Sequence, residues 1–172
     1  MNKSNLLPGN SVASSDREEL YYKMIEEVQD YAILMIDKDG YIINWNKGAE
    51  KIKGYKEHEI ISQHFSLFYT PEDRQNKLPE KLLALGVKSG KAEYEGWRVR
   101  KDGTTFWGSV VITAIRNGNG DLIGFSKVTR DLTERKMADD NAKTQAIELA
   151  KVNHELLLVQ EQLENNLSEL SK

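Results

Sequence analysis

Reactive side chains are few in this sequence, and the types that are missing exclude more chemistry than those present suggest. Cysteine is absent, which removes disulfides, thiolate metal sites and thiol nucleophiles together. The three histidines, His58, His64 and His154, remain as candidates for metal binding, proton transfer or phosphoryl acceptance. Acidic neighbours of histidine occur, but none at metal-ligand spacing, so no metal site is expected. His58 lies in the charged stretch Lys56-Glu57-His58-Glu59 and reads as a surface residue, and His64 reads as a hydrogen-bonded loop residue. Gly118-Asn119-Gly120 sits between two strand-like runs, without the following helix that a phosphate cradle requires, so it reads as a hairpin turn. No serine occupies a nucleophile elbow. The chain is therefore expected to carry no catalytic residues.

The elements that hold these residues follow from composition. There are 172 residues, 24 basic and 27 acidic, and 39% are apolar: one ordinary domain plus a spare segment. Without a surplus of Lys and Arg to neutralise phosphates, a nucleic-acid partner is not expected. The longest apolar run, residues 32–36, is too short for a bilayer, and residues 1–15 lack a signal-peptide core. A cytoplasmic protein with no membrane partner is the expectation. Residues up to 131 carry 19 acids and 19 bases, and those after it 8 and 5. The last proline is Pro79, the last glycine Gly124 and the last aromatic Phe125, so the final quarter has no breaker and should be one helix.

Four regions are expected: a flexible segment over 1–15, an N-terminal helix over 16–30, a core over 31–131 and a coiled-coil helix over 132–172. The first helix should run from about 17 to 28, capped by Ser15 or Asp16, with Leu20, Met24 and Val28 on one face. Residues 31–37 and 41–45 flank Asp39-Gly40 as a hairpin, and short helical pieces follow near 47–52 and 56–61. A longer helix is expected over 71–85, with Pro71 in its first turn. Three strands over 91–100, 104–115 and 121–130 are joined by turns at Lys101-Asp102-Gly103 and Gly118-Asn119-Gly120. The fold class is α+β: a five-stranded antiparallel sheet with short helices on one face, able to enclose a small ligand between the layers.

Four motifs carry a family resemblance. They are Ile36-Asp37-Lys38-Asp39-Gly40 with Asn44-Trp45-Asn46 and Ala49-Glu50; Gly54-Tyr55; Arg100-Lys101-Asp102-Gly103-Thr104 with Phe106-Trp107; and Gly120-Asp121-Leu122-Ile123-Gly124-Phe125 leading to Asp131-Leu132-Thr133-Glu134-Arg135-Lys136. In order and spacing they resemble the PAS domains of sensory proteins over about residues 17–136, with a coiled-coil linker behind, as in sensor histidine kinases. The resemblance implies that Asp131 ends the last strand and that Asp131 and Thr133 form the signalling junction. A carboxylate there is also suited to cap the helix. Glu50 and Lys101 correspond to family positions that pair, although two separately solvated charges are the preferred reading.

PAS domains hold haem, flavins, carboxylates or no recognisable ligand. By strand parity and by similarity to the family, Leu34, Ile36, Phe65, Val110, Ile112 and Phe125 should line the pocket, with Met35, Trp97 and Trp107 on the outer sheet face. Flavin-adduct chemistry is excluded by the lack of cysteine: Phe65 stands where the light-sensing branch has its thiol, and Arg98, Gly108 and Thr129 stand where it has flavin-facing polar groups. Haem is disfavoured because 71–85 contains no histidine, which leaves the cofactor unassigned. Arg98 and Lys127 share the inward parity. A buried cation needs a counter-charge, supplied by a protein acid or by an anionic small molecule. The protein acid is the simpler source, since strand ends twist outward and long cationic chains reach for water.

Leu149, Val152, Leu156, Val159 and Leu163, then Leu170, follow alternating steps of three and four, a coiled-coil seam, with Asn166 as a polar seam position. Asn153-His154-Glu155-Leu156 superficially resembles a kinase phosphoacceptor box but lacks the Arg-Thr-Pro that follows there, and His154 falls on the exposed side of the heptad. The reading is a homodimeric sensory module with a possible small-molecule ligand, passing a change in its core to a downstream output domain, a histidine kinase first, with a diguanylate cyclase or an adaptor as alternatives. A ligand-free dimerisation or interaction scaffold is the second reading.

Overall fold

The computed structural model describes residues 14–170, so all but the end of the expected flexible segment lies outside the described residues. The elements run α1 (Ser14–Glu26), β1 (Ala32–Ile36), α2 (Lys47–Lys53), α3 (Glu57–Ile60), a 3-10 turn (Phe65–Phe68), α4 (Pro71–Gln75), α5 (Leu78–Ser89), β2 (Lys91–Val99), β3 (Thr105–Arg116), β4 (Leu122–Asp131) and α6 (Thr133–Leu170). The chain divides into two compact units, Met1–Asp131 and Leu132–Lys172.

In the first unit the four strands form one antiparallel sheet in the order β1-β4-β3-β2. The period of two is plain in β1, where Ala32, Leu34 and Ile36 are buried while Ile33 and Met35 are half-buried. The inner face packs against the short helices in one core that includes Phe65, Phe68, Tyr69, Phe106, Val110, Ile112 and Phe125. On the outer face the cross-strand partners Trp97 and Trp107 meet edge to face at 5.4 Å.

The fifth strand expected over 41–45 does not form. Residues 41 and 42 make only isolated bridges, Ile36 with Ile42 and Tyr41 with His64. Two asparagine side chains serve the edge of β1 instead: Asn44 Oδ1 accepts from Met35 N–H at 2.6 Å, and Asn46 Oδ1 accepts from Ile33 N–H at 2.9 Å. Asn46 also caps α2 by accepting from Ala49 N–H and donates to the carbonyls of Val28 and Tyr31. One buried amide thus ties the segment after α1, the sheet edge and α2 together, so the edge donors are met without a ladder.

The helix expected over 71–85 is two helices. Lys77 adopts φ 54°, and Pro79 sits in the first turn of α5. A proline there cannot donate to the preceding turn, so the chain restarts rather than continues. The first helix ends at Glu26 instead of about 28, and Leu20 and Met24 on it are exposed. α6 is an unbroken helix of 38 residues with no buried position, about 57 Å long at 1.5 Å per residue.

Candidate functional site

The core carries more cations than an ordinary hydrophobic interior. Arg98 on β2, Lys127 on β4 and Lys53 at the end of α2 are each 0% exposed. Strand alternation places the first two: Arg98 is cross-strand from Phe106, and Lys127 pairs with Ile112 and Leu34. Lys53 arrives by helical spacing. Ala49, Ile52 and Lys53 share the buried face of α2, and Gly54, at φ 79°, closes the helix directly behind it in a left-handed conformation suited to glycine.

Their partners are incomplete. Lys127 Nζ donates to Thr129 Oγ1 at 2.9 Å. Lys53 Nζ has no hydrogen-bond partner and rests 4.2 Å from the Phe68 ring centroid, with Lys127 Nζ at 5.9 Å from the same ring. Arg98 Nη1 donates to the Trp97 carbonyl at 2.7 Å and lies 3.5 Å from Asp73 Oδ2, while Nε and Nη2 are unpartnered. Its guanidinium stacks on Tyr69, 4.2 Å to the ring centroid, and the buried Tyr69 hydroxyl is also unpartnered. Gly108 makes room for this chain: a Cβ there would stand 3.1 Å from Arg98 Cγ.

Crowding of like charge shows in the ionisation. Burial, then repulsion from Arg98 and Arg100, lowers Lys53 to about 7 against an opposing pull from Asp131. Burial, then Lys53 and Arg98, holds Lys127 well below the usual lysine range. Burial raises the Tyr69 phenol, against the pull of Arg98.

The expected lining residues Leu34, Ile36, Phe65, Val110, Ile112 and Phe125 are all in this core, with Arg98 among them. Phe65 meets Tyr69 edge to face at 5.7 Å. His64 is engaged at both ring nitrogens, Nδ1 with Ser66 Oγ at 2.7 Å and Nε2 with the Asp39 carbonyl at 3.1 Å. Lys53 was not singled out from sequence, although its position beside Ile52 and Ala49 on one helical stripe is the signal that places it inside. Glu50 and Lys101 are both paired, but not with each other: Lys56 bonds Glu50, and Lys101 bonds Glu59.

At the end of β4, Asp131 Oδ2 accepts from Arg100 Nη2 at 2.5 Å. Arg100 also donates through Nη1 to the Ile52 carbonyl in the last turn of α2 and stacks on Phe106, 4.4 Å to its centroid. The residue next to the buried Lys53 is thereby joined, through one guanidinium, to the last residue before the α6 junction. A surface cleft of about 500 Å³ lies outside this link, lined by Lys51, Gly54, Arg100, Lys101 and Asp102. Thr133 is the first residue of α6. The seam residues Leu149, Val152, Leu156, Val159 and Leu163 are exposed along the helix.

Comparison with known proteins agrees with this architecture. A family model described as PAS domain matches residues 30–134. The chain belongs to the PAS domain family. It is 44% identical over 146 residues to Two-component system protein A of Emericella nidulans, covering 80% of this chain and 21% of that protein. It is 30% identical over 131 residues to the signal transduction histidine-protein kinase AtoS of Escherichia coli K12, covering 74% and 20% respectively. The chain therefore spans about a fifth of the length of these relatives. Among solved structures, the PAS domain of a Colwellia psychrerythraea protein superposes with a TM-score of 0.64 at 28% identity, over 69% of this chain and 99% of that one. The chain is a PAS sensor domain similar to those of two-component proteins and sensor histidine kinases. Among the described residues, no helix is long and apolar enough to cross a membrane.

Proposed function

We propose that this PAS domain is the sensory part of a two-component histidine kinase, converting a change in its core into a change in a dimeric coiled coil formed by α6. The observation that carries the reading is Arg100, whose guanidinium holds the Ile52 carbonyl and the Asp131 carboxylate at once. A shift of α2 around a core ligand must stretch or re-aim one of these bonds, and Asp131 is followed after one residue by a long helix. The pair is about one-quarter exposed on each side, buried enough to hold a geometry and accessible enough to exchange partners. Two-component relatives at 44% and 30% identity support the kinase as output. The exposed stripe from Leu149 to Leu163 supports pairing of α6.

The second reading, a ligand-free dimerisation scaffold, is favoured by Asp73, which gives Arg98 a counter-charge from within the chain. One experiment separates the two. Asp131→Ala in the whole kinase should leave the domain folded, at a cost of about 0.2–1 kcal/mol for the partly exposed ion pair it removes, and disconnect output from stimulus. Asp102→Ala, in the hairpin turn, should leave coupling intact. A stimulus response in Asp131→Ala equal to that of the wild type would refute transmission through this link.

A further inference from the structure

Lys53 stands where the buried charge and the link to α6 meet. Its side-chain nitrogen is fully buried with no hydrogen-bond partner, against the rings of Phe68 and Phe106 at 4.2 and 5.2 Å to their centroids. Aromatic faces hold a cation only weakly, and a charge kept there without an acceptor is costly. The main chain beside it is held on every side. Lys101 N–H donates to the Lys53 carbonyl at 2.9 Å, Gly54 N–H to the Glu50 carbonyl at 2.8 Å, and Arg100 Nη1 to the Ile52 carbonyl. A change of charge on Lys53 must therefore be answered by its side chain and by the groups that side chain faces.

Those groups come from both sides of the sheet's inner face. Arg98 on β2, Arg100 just past its end and Lys127 on β4 repel a charged Lys53, and Asp131 at the end of β4 attracts it. The other charges nearby are engaged: Asp73 on α4 lies against Arg98, and on α2 itself Glu50 is bonded by Lys56. Lys127 Nζ is bonded to Thr129 Oγ1. A charged Lys53 is thus drawn toward Asp131, whose Oδ2 is held by Arg100 Nη2.

We propose that Lys53 is a proton receptor: the proton it takes from solvent as pH falls turns its ammonium toward Asp131 and draws that carboxylate off Arg100. Resting on the sensory reading for its meaning as a signal, the inference names acidification as a stimulus of the domain. A proton needs no vacant volume, which suits a core whose three cations are fully buried. Asp131 is about one-quarter exposed, so solvent reaches this end of the core. The lowering of Lys53 to about 7 places the change near neutrality. Above it the amine is neutral and Arg100 keeps Asp131; below it the ammonium competes for the same carboxylate.

The test is NMR of the purified chain carrying isotope-labelled lysine and arginine, titrated from pH 6 to pH 9. Lys53 is assigned by the signal lost in Lys53→Met, and Arg100 by the signal lost in Arg100→Lys. Lys53 should titrate with a midpoint near 7, and the Arg100 guanidinium signal should move with the same midpoint. In Lys53→Met the Arg100 signal should keep its high-pH position throughout. Asp131→Asn, which removes the attracting charge and keeps the shape, should lower the Lys53 midpoint by about half a unit or more, a comparison that does not depend on Lys53→Met folding. A Lys53 that stays charged up to pH 9 would overturn the proposal, as would an Arg100 signal that ignores pH or moves equally in Lys53→Met, or an unchanged midpoint in Asp131→Asn. These readouts need no output domain. An Arg100 signal that follows Lys53 while kinase output ignores pH contradicts the sensory reading and leaves the proton site standing.

Discussion

Replacing Lys53 by methionine should stabilise the ligand-free protein, and by an amount that depends on pH. Lys53 is fully buried with its ammonium unpartnered, and its folded-state value near 7 lies below the ordinary 10.5. The unfolded chain therefore holds this proton more tightly than the folded one between those values. Stability rises with pH wherever the unfolded state binds more protons. The penalty is fully present below pH 7 and is relieved as pH climbs toward 10.5. At about 1.36 kcal/mol per pH unit, relief between pH 6 and pH 9 amounts to about 2–3 kcal/mol from Lys53, and Lys127 adds to it with the same sign. Lys53→Met removes that contribution along with a cation–π contact to Phe68, which is worth about 0.5–2 kcal/mol. Urea denaturation at pH 6, 7, 8 and 9 measures the outcome. Wild type should gain stability across the range, while Lys53→Met should start higher and climb less. A wild-type curve that is flat or falls from pH 6 to 9, or a variant destabilised at pH 6, would refute the picture of an uncompensated buried cation.

Freshly purified protein should show no visible absorption after expression with added haem precursor or flavin, since His64 is engaged on both ring nitrogens and Arg98, Gly108 and Thr129 stand where side-chain amides would have to face a flavin ring; a Soret band or a flavin spectrum would contradict this. Leu156→Asp with Leu163→Asp should yield monomers by light scattering, because each apolar seam side chain buried in a dimer is worth about 1.5–3 kcal/mol and an aspartate there opposes it.

The strands of the sheet were legible because alternation survives in them almost undisturbed: Leu34, Ile36, Val110, Ile112 and Phe125 are buried where a period of two puts them. The strand expected after Gly40 was not, because Asn44 and Asn46 satisfy the edge of β1 with side-chain oxygens, and a pattern of apolar residues is blind to such substitutes. The break between α4 and α5 was written in Pro79, but Pro71 in a first turn and the absence of glycine between it and Gly86 let one helix be drawn across both. At the site, Arg98 and Lys127 were visible through strand parity. Lys53 escaped because a lysine in a charged helix ordinarily reads as solvent-facing. The link from Ile52 through Arg100 to Asp131 joins residues far apart in sequence, and only the folded chain brings them together.

If the geometry of the core is transmitted through Asp131 to paired α6 helices, the spacing of those helices must depend on Asp131. The absence of cysteine allows a single nitroxide label at Glu161→Cys, an exposed position between Val159 and Leu163, and its pairwise distance in solution is the most direct measurement. One narrow interlabel distance is expected in the wild-type background, with a displaced or broadened distribution in Asp131→Ala. An absence of dipolar coupling would contradict the paired helix, and an identical distribution in both backgrounds would contradict transmission through the junction.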